Sequence, residues 1–154
     1  MKDVTVQEKI NQAHQAFKEW KQTSFEHRRK LFKKLYDIMQ ENKKQLAKLD
    51  TLEMGMLYED ALGDVEKSSN NALYFGKNAQ ELLSPKSKET KNLDCQIIYQ
   101  PLGVIFSVMP WNYPYNQVLR SAIPNIMAGN TVIMKHASNV PQVAEKIQEL
   151  FEKA

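Results

Sequence analysis

The stretch GVIFSVMPWNYP, residues 103–114, determines which fold this chain adopts. Its first half is a short, nearly continuous apolar run, Val104 to Val108, which is typical of a parallel strand buried on both faces. Pro110 ends the run, and Pro114 stands where a helix begins, because the first-turn amide of a helix has no partner anyway. The stretch therefore predicts a buried strand that turns directly into a helix.

The same pattern repeats further along the chain. Residues 114–128 have helical spacing and end at Gly129-Asn130, and the β-branched residues 131–135 predict a second strand. A last helix is predicted from an apolar stripe made of Val140, Val143, Ala144, Ile147, Leu150 and Phe151. Strand, helix, strand, helix is the opening of a right-handed, doubly wound α/β sheet. The predicted fold class is therefore α/β, with a Rossmann-like unit.

Four amphipathic helices are predicted before this unit. The first has apolar residues spaced by three or four, namely Val6, Ile10, Ala13, Phe17 and Trp20. Thr23 and Glu26 match a capping box at the start of the second helix. Asn42 is predicted to cap the third helix and Gly55 to end it. The fourth helix is expected to end near Ser84-Pro85.

Residues 86–92 are polar and lack periodicity, which predicts an exposed loop. Residues 94–100 are rich in Ile and Tyr and predict a strand at an edge or in a hairpin. The chain divides into a helical segment (1–84), a loop and strand (85–102) and the start of an α/β domain (103–154). Because two parallel strands rarely make a stable sheet and the last helix lacks a stop signal, we expect a truncated chain.

Composition excludes several classes of protein. Of 154 residues, 42% are hydrophobic and 25% charged, and the 21 basic residues alternate with 18 acidic ones, which argues against nucleic-acid binding. The longest apolar run is far shorter than the roughly 20 residues of a membrane helix. The single cysteine and the absence of a secretion signal predict a reducing, cytoplasmic location. His14, His27 and His136 do not have metal-ligand spacing, so no metal site is predicted.

The aromatic turn is the best candidate for a site, because open α/β sheets bind ligands at the carboxyl ends of their strands. The amide of Asn112, fixed between prolines, is a donor suited to a developing oxyanion. Trp111 and Tyr113 are equally compatible with packing at the sheet edge. Lys135 ends the second strand on the same side, and Arg120 lies two helical turns after Asn112, although either fits an ordinary surface residue.

Two other features give no independent signal. Cys95 is interpreted as an inert thiol within a strand, because no base lies nearby in the sequence. The chain has five glycines and contains neither a Gly-x-Gly-x-x-Gly pattern nor a phosphate loop. Local sequence alone thus predicts no glycine-cradled pyrophosphate.

The stretches PLGVIFSVMPWNYP (101–114) and AGNTVIMKHASNVP (128–141) together resemble the cofactor-domain opening of NAD(P)-dependent aldehyde dehydrogenases, especially the succinate-semialdehyde dehydrogenase group. The helical leader is similar to the N-terminal pattern of that family at Trp20, Arg28-Arg29, Glu53-Met54-Gly55 and Tyr74. The resemblance covers essentially the whole chain. It implies an incomplete aldehyde dehydrogenase fold, in which residues 85–102 contribute to the oligomerisation sheet of a homo-oligomer.

The resemblance also implies roles for individual residues. Asn112 matches the asparagine that stabilises the oxyanion of the thiohemiacetal, and Arg120 matches an arginine that binds a substrate carboxylate. The implied cofactor is NAD or NADP, which the family binds without a glycine fingerprint. Its implied binding residues are Val108, Met109, Pro110, Trp111, Lys135 and Ser138.

Two positions depart from the family pattern. Ser138 replaces a glutamate of many NAD-preferring members and leaves room for a 2′-phosphate, which makes NADP plausible. His136 stands where most members have proline. The family's nucleophilic cysteine and basic glutamate lie beyond Lys135 and have no counterpart here, and Cys95 matches neither.

The resemblance predicts the N-terminal part of an enzyme that oxidises a small aldehyde, succinate semialdehyde, and that is inactive as this chain alone. A second hypothesis from a different class is a non-catalytic interaction module, or the half of a split gene that associates with a complementary chain. Neither hypothesis includes a nucleic-acid or membrane partner.

Overall fold

The computed structural model describes residues 5–89 and 93–154, and within these ranges it contains six helices and four strands. In chain order they are α1 (Val6–Trp20), α2 (Phe25–Glu41), α3 (Lys43–Met54), α4 (Tyr58–Leu82), β1 (Lys86–Glu89), β2 (Asp94–Ile97), β3 (Val104–Val108), α5 (Pro114–Met127), β4 (Thr131–Lys135) and α6 (Pro141–Lys153). Among these described helices, none combines the length and the hydropathy that crossing a bilayer requires.

The predicted strand-helix-strand-helix unit is confirmed. Strands β3 and β4 are parallel and in register from Val104 opposite Thr131 to Val108 opposite Lys135. The ladder continues past β3, where the amide of Met109 donates to the carbonyl of Lys135 at 3.0 Å. Because the strands run in the same direction, β3 and β4 both end at one edge of the sheet.

Helix α5 lies at the centre of the molecule, between α4 on one side and the β3–β4 sheet on the other. Its buried apolar residues are Tyr115, Val118, Leu119, Ala122, Ile123 and Met127. All of these except Ala122 belong to one continuous hydrophobic core together with Leu35 and Met39 of α2, Leu46 of α3 and Val65 of α4. The helical leader and the α/β unit are therefore stabilised by the same core rather than by two separate ones.

Arg28 attaches the carboxyl end of α5 to the leader. Its buried guanidinium donates from Nη1 to the carbonyl of Met127 at 2.9 Å and from Nη2 to the carbonyls of Trp20 and Thr23 at 3.0 and 2.9 Å. The indole Nε1 of Trp20 donates to the carbonyl of Ile126 at 2.9 Å. Last-turn carbonyls lack intrahelical partners and carry partial negative charge, so a cation at this end is favourable.

The predicted capping box at Thr23 and Glu26 is wrong. The N-cap of α2 is Ser24, whose hydroxyl accepts from the amide of His27 at 3.1 Å. The hydroxyl of Thr23 is engaged elsewhere, because it donates to the carbonyl of Trp20 at 2.7 Å and accepts from Nε of Arg28 at 2.8 Å.

A capping box that the sequence analysis overlooked lies at the start of α1, between Thr5 and Glu8. Asn42 precedes α3 as predicted, but it does not cap that helix, because its side chain donates to the carbonyl of Ile38 at 2.7 Å. Gly55 ends α3 in the left-handed conformation, with φ of 80°, as predicted. Of the three predicted caps, Gly55 acts as predicted, whereas Thr23 and Asn42 do not.

The predictions for residues 86–100 need correction. Residues 86–89, expected to be part of an exposed loop, form strand β1, which pairs antiparallel with β2 from Lys86 opposite Ile97 to Glu89 opposite Asp94. The remainder of that predicted loop, 90–92, lies outside the described residues. The hairpin prediction is confirmed, but β2 ends at Ile97 rather than at residue 100. Backbone pairing to β2 stabilises a segment whose polar side chains carry no strand pattern.

Strand β3 is parallel but is not buried on both faces as predicted. Phe106 and Val108, which point to the same face, are 66% and 62% exposed. Ser107, on the other face, is buried, and its hydroxyl lies 3.3 Å from that of Ser121 on α5. The apolar pattern of β3 predicted two covered faces, but among the described residues Phe106 and Val108 remain mostly uncovered on one of them.

We predict that Arg28→Ala lowers the free energy of unfolding by at least about 2 kcal/mol, because it removes the guanidinium hydrogen bonds to the buried carbonyl of Met127 and the half-buried carbonyl of Thr23. Chemical denaturation monitored by circular dichroism measures the change. The matched control is Lys34→Ala on the exposed face of the same helix, which we expect to change stability by less than about 0.5 kcal/mol. Equal effects of the two substitutions would contradict the role given to Arg28.

Candidate functional site

The candidate site lies at the edge of the sheet where β3 and β4 end. Lys135 is exposed at the last position of β4, and the turn after β3 exposes Trp111, Asn112 and Tyr113. Within the described part of the chain, the carboxamide of Asn112 has no hydrogen-bond partner. The structure thus brings Asn112 and Lys135 to one edge, each with its polar group free for a ligand.

Tyr113 adopts an unusual backbone conformation directly after Asn112. With φ of 56° and ψ of 59° it is left-handed, and it is the single non-glycine residue with positive φ among the described residues. This conformation costs a residue with a side chain about 1–2 kcal/mol. It turns the chain sharply enough for α5 to begin at Pro114. Such strain persists only where surrounding contacts enforce it, and it is found most often at functional sites.

Asp64 of α4 supplies the contacts at the start of α5. Its buried carboxylate accepts at Oδ2 from the amide of Asn116 at 3.4 Å, so it performs the capping that Tyr113 does not, whereas its Oδ1 has no hydrogen-bond partner among the described residues. Burial raises the pKa of Asp64 to about 6, and the backbone amides of Asn116 and Tyr115 oppose that rise. The positive end of the α5 dipole therefore faces a carboxylate of the same chain.

Glu53 does the same for α6. Its Oε1 accepts from the amide of Gln142 at 2.9 Å and its Oε2 from that of Val143 at 2.8 Å. Both helices that follow strands of the sheet are thus capped by acidic side chains from the helical leader. These hydrogen bonds fix the direction in which each helix leaves the candidate site.

Asp50 and Tyr115 lie behind the site and have no such compensation. The carboxylate of Asp50 and the hydroxyl of Tyr115 are buried without a hydrogen-bond partner among the described residues. Burial, followed by the charge of Asp64, raises the pKa of Asp50 to about 7. Burial together with the charges of Asp50 and Asp64 also raises the pKa of Tyr115. Neutral side chains are therefore favoured at this depth.

The remaining predicted site residues lie at the end of β3, in the loops that follow β3 and β4, and on α5. Met109 is half-buried, whereas Val108, Pro110 and Ser138 are exposed. Arg120 is exposed on α5 and has no ion-pair partner among the described residues. Cys95 is not at this edge, because it lies half-buried on β2, opposite Lys88.

The histidines differ in their surroundings. His14 and His27 are exposed on helices, in agreement with the sequence interpretation. His136 is half-buried, and its Nε2 lies 3.3 Å from the carbonyl oxygen of Pro114 on α5. The sequence analysis did not assign this contact.

Sequence reasoning also missed Asp64, Glu53 and Asp50. A signal was present for Asp64, because it falls on the small, apolar stripe of α4 between Ala61 and Ser68, where an acid needs a partner. Nothing in the sequence identifies that partner, since the amides it binds belong to a helix about fifty residues away.

We predict that Asp50→Asn removes part of the pH dependence of stability. Because the native pKa of Asp50 is raised from about 4 in the unfolded chain to about 7, its stabilising contribution is present below pH 4 and is lost as the pH rises to 7. Relative to wild type, the variant should gain stability from pH 4 to pH 8, as measured by thermal unfolding. Asp37→Asn, at an exposed ion pair on α2, is the control, and parallel wild-type and Asp50→Asn profiles would contradict the assignment.

Known proteins share both the sequence and the architecture. The model of the aldehyde dehydrogenase family matches residues 1–154. The succinate-semialdehyde dehydrogenase [NADP(+)] of Deinococcus radiodurans is 37% identical over 145 residues, which cover 94% of this chain and 30% of the relative. An aldehyde dehydrogenase of Paenarthrobacter nicotinovorans is 39% identical over 150 residues, 95% of this chain and 33% of the relative.

Solved structures agree. The crystal structure of succinic semialdehyde dehydrogenase from Streptococcus pyogenes in complex with NADP+ superposes with a TM-score of 0.92 at 30% identity, covering 99% of this chain and 34% of that protein. The chain thus spans about a third of the length of the relatives it matches. Family match, identity and superposition extend over nearly every residue, and the chain belongs to the aldehyde dehydrogenase family.

Proposed function

We propose that this chain supplies the oxyanion-binding asparagine and part of the NADP-binding wall of an aldehyde dehydrogenase that oxidises succinate semialdehyde. The observation that supports this most is the carboxamide of Asn112, which has no partner among the described residues and is exposed at the edge where β3 and β4 end and where Lys135 is exposed too. Relatives named succinate-semialdehyde dehydrogenase [NADP(+)] support the choice of substrate and cofactor.

Asn112 acts on the substrate oxygen in this proposal. When a thiolate adds to an aldehyde, negative charge develops on the former carbonyl oxygen, and a fixed amide NH2 stabilises it. The left-handed Tyr113 and the capped first turn of α5 hold the backbone of Asn112 before substrate arrives. A donor positioned in advance needs no reorganisation during the reaction.

The cofactor would lie along the surface formed by Val108, Met109, Pro110 and Trp111. Val108 and Trp111 are 62% and 50% exposed and present an apolar wall suited to a planar ring. Lys135 would bind the ribose hydroxyls or a 2′-phosphate, and the uncharged Ser138 adds no repulsion to a phosphate. Bound NADP+ supplies the hydride acceptor, and these residues position it.

Arg120 would bind the distal carboxylate of the semialdehyde. It is exposed on α5, the helix that begins directly after Asn112, and no acidic side chain among the described residues neutralises it. A guanidinium binds a carboxylate through two parallel hydrogen bonds, which sets the orientation of the substrate as well as its affinity. Arg120 thereby favours an aldehyde that carries an acid group.

The exposed apolar face of β3 favours a second function, that of an interaction module. Phe106 and Val108 are largely exposed, and among the described residues β4 pairs with a strand on one side only. An open edge beside an apolar face is suited to a complementary chain that adds strands.

In the same proposal the β1–β2 hairpin contributes to the oligomerisation sheet of a homo-oligomer. The chain is then divided into the helical segment (1–84), the hairpin segment (85–102) and the start of the α/β domain (103–154).

We predict that Lys135→Ala weakens binding of NADP+ at least about tenfold, the effect of losing roughly one hydrogen bond to a charged group. Isothermal titration calorimetry with NADP+ measures the affinity of each chain. Asn112→Ala is the matched control, since it removes a substrate contact and should leave the affinity for NADP+ unchanged. Equal affinity of Lys135→Ala and wild type would contradict the assignment of Lys135.

We further predict that purified residues 1–154 do not oxidise succinate semialdehyde with NAD+ or NADP+. The chain contains one cysteine, Cys95, which the structure places on β2 rather than beside Asn112. Formation of NADH or NADPH, followed at its absorbance band, is the measurement. Turnover that is lost in both Cys95→Ser and Asn112→Ala would show that the chain holds a complete site.

A further inference from the structure

We propose that His136 is a positioning residue whose neutral ring connects the loop after β4 to the first turn of α5 and thereby sets the separation of Asn112 and Lys135. The inference rests on the proposed roles of those two residues. It concerns the hydrogen bonds that hold them, which involve neither a substrate nor a cofactor atom.

Both ring nitrogens of His136 are engaged. Nδ1 accepts from the amide of Ala137 at 2.7 Å, and Nε2 lies 3.3 Å from the carbonyl oxygen of Pro114. A nitrogen that accepts from an amide carries no proton, so the proton of the neutral ring is on Nε2 and is donated to Pro114. With both nitrogens occupied, the ring is not available as a general base.

The contact links the two sides of the candidate site. Pro114 begins α5 two residues after Asn112, and His136 directly follows Lys135. Among the described residues, one backbone hydrogen bond also joins the two sides of this edge beyond the last strand pair. It runs from the amide of Met109 to the carbonyl of Lys135. The His136 bond lies farther out, where the chain carries the left-handed Tyr113. It therefore limits the movement of Asn112 away from Lys135.

The surroundings keep the ring neutral. Burial is the main cause that lowers the pKa of His136, and the charge of Lys135 acts in the same direction. The hydrogen bond to the carbonyl of Pro114 and then the carboxylate of Glu53 oppose this lowering of the pKa without cancelling it, and Glu145 of α6 lines the same apolar groove as the ring. Since a proton on Nδ1 would face the amide proton of Ala137, the charged ring would lose that hydrogen bond. The neutral ring is the form that holds both contacts.

NMR of the 15N-labelled chain tests the bridge directly. Multiple-bond 1H–15N spectra at neutral pH should show the proton of His136 on Nε2, and a proton on Nδ1 would overturn the proposal. His136→Leu fills the space without hydrogen bonds, and it should shift the side-chain NH2 signals of Asn112 and the indole signal of Trp111. Unchanged signals in His136→Leu would mean that the ring only fills space, which also overturns the proposal.

Two conservative variants separate the two hydrogen bonds. His136→Gln places an amide NH2 near the position of Nε2 and should leave the Asn112 signals near their wild-type positions. His136→Asn places an oxygen near the position of Nδ1, keeps only the Ala137 contact, and should shift those signals as His136→Leu does. If His136→Gln shifts the Asn112 signals and His136→Asn does not, the role given to the Pro114 hydrogen bond is overturned. The exposed His14→Ala is the control and should change neither signal.

Affinity for NADP+ then links the bridge to function. His136→Leu should weaken binding about fivefold, the effect of one neutral hydrogen bond, and His136→Gln should weaken it less. A wild-type chain that does not bind NADP+ would contradict the proposed cofactor site. The tautomer of His136 and the Asn112 signals would still test the hydrogen bond between His136 and Pro114. Wild-type affinity in His136→Leu would overturn the positioning role.

Discussion

The structure depends on how the two ends of α5 are held. At its carboxyl end the guanidinium of Arg28 and the indole of Trp20 donate to the carbonyls of Met127 and Ile126. At its amino end the carboxylate of Asp64 accepts from the first-turn amide of Asn116. Each end of the helix dipole thus faces a side chain of suitable charge or polarity from the helical leader. The helix that positions the candidate site is fixed by residues far from it in the sequence.

This arrangement explains why a strained residue is stable beside Asn112. The left-handed conformation of Tyr113 costs about 1–2 kcal/mol. Burial of Tyr115 and Leu119 in the first turns of α5 stabilises the fold by more than this cost, since each fully buried large side chain contributes about 1.5–3 kcal/mol. Because α5 cannot move without exposing these residues, the turn before it is held in one backbone conformation. Packing of α5 in the core thereby fixes the position of the exposed carboxamide of Asn112.

The sequence predicted elements well and partners poorly, for a physical reason. Helical and strand periodicity depends on neighbours along the chain, so α5, β4 and α6 were predicted within one or two residues. Asn112 and Lys135 were placed at one edge because parallel strands end together. The caps supplied by Asp64 and Glu53 join segments fifty to ninety residues apart, which no local pattern encodes. Strand β1 was not predicted because its backbone pairing to β2 stabilises it, while its own polar side chains have no strand pattern.

The caps supplied by Asp64 and Glu53 also give a physical reason why this unit has no Gly-x-Gly-x-x-Gly pattern. Dinucleotide-binding units commonly place a pyrophosphate at the N-terminus of the first helix, where glycines allow close approach of the backbone. Here Asp64 occupies that position on α5, and Glu53 occupies the equivalent one on α6. A phosphate at either terminus would have to displace a carboxylate and then lie beside it. Glycine would bring no benefit at a terminus already occupied, so a cofactor bound at this edge must contact the strand ends and their side chains instead.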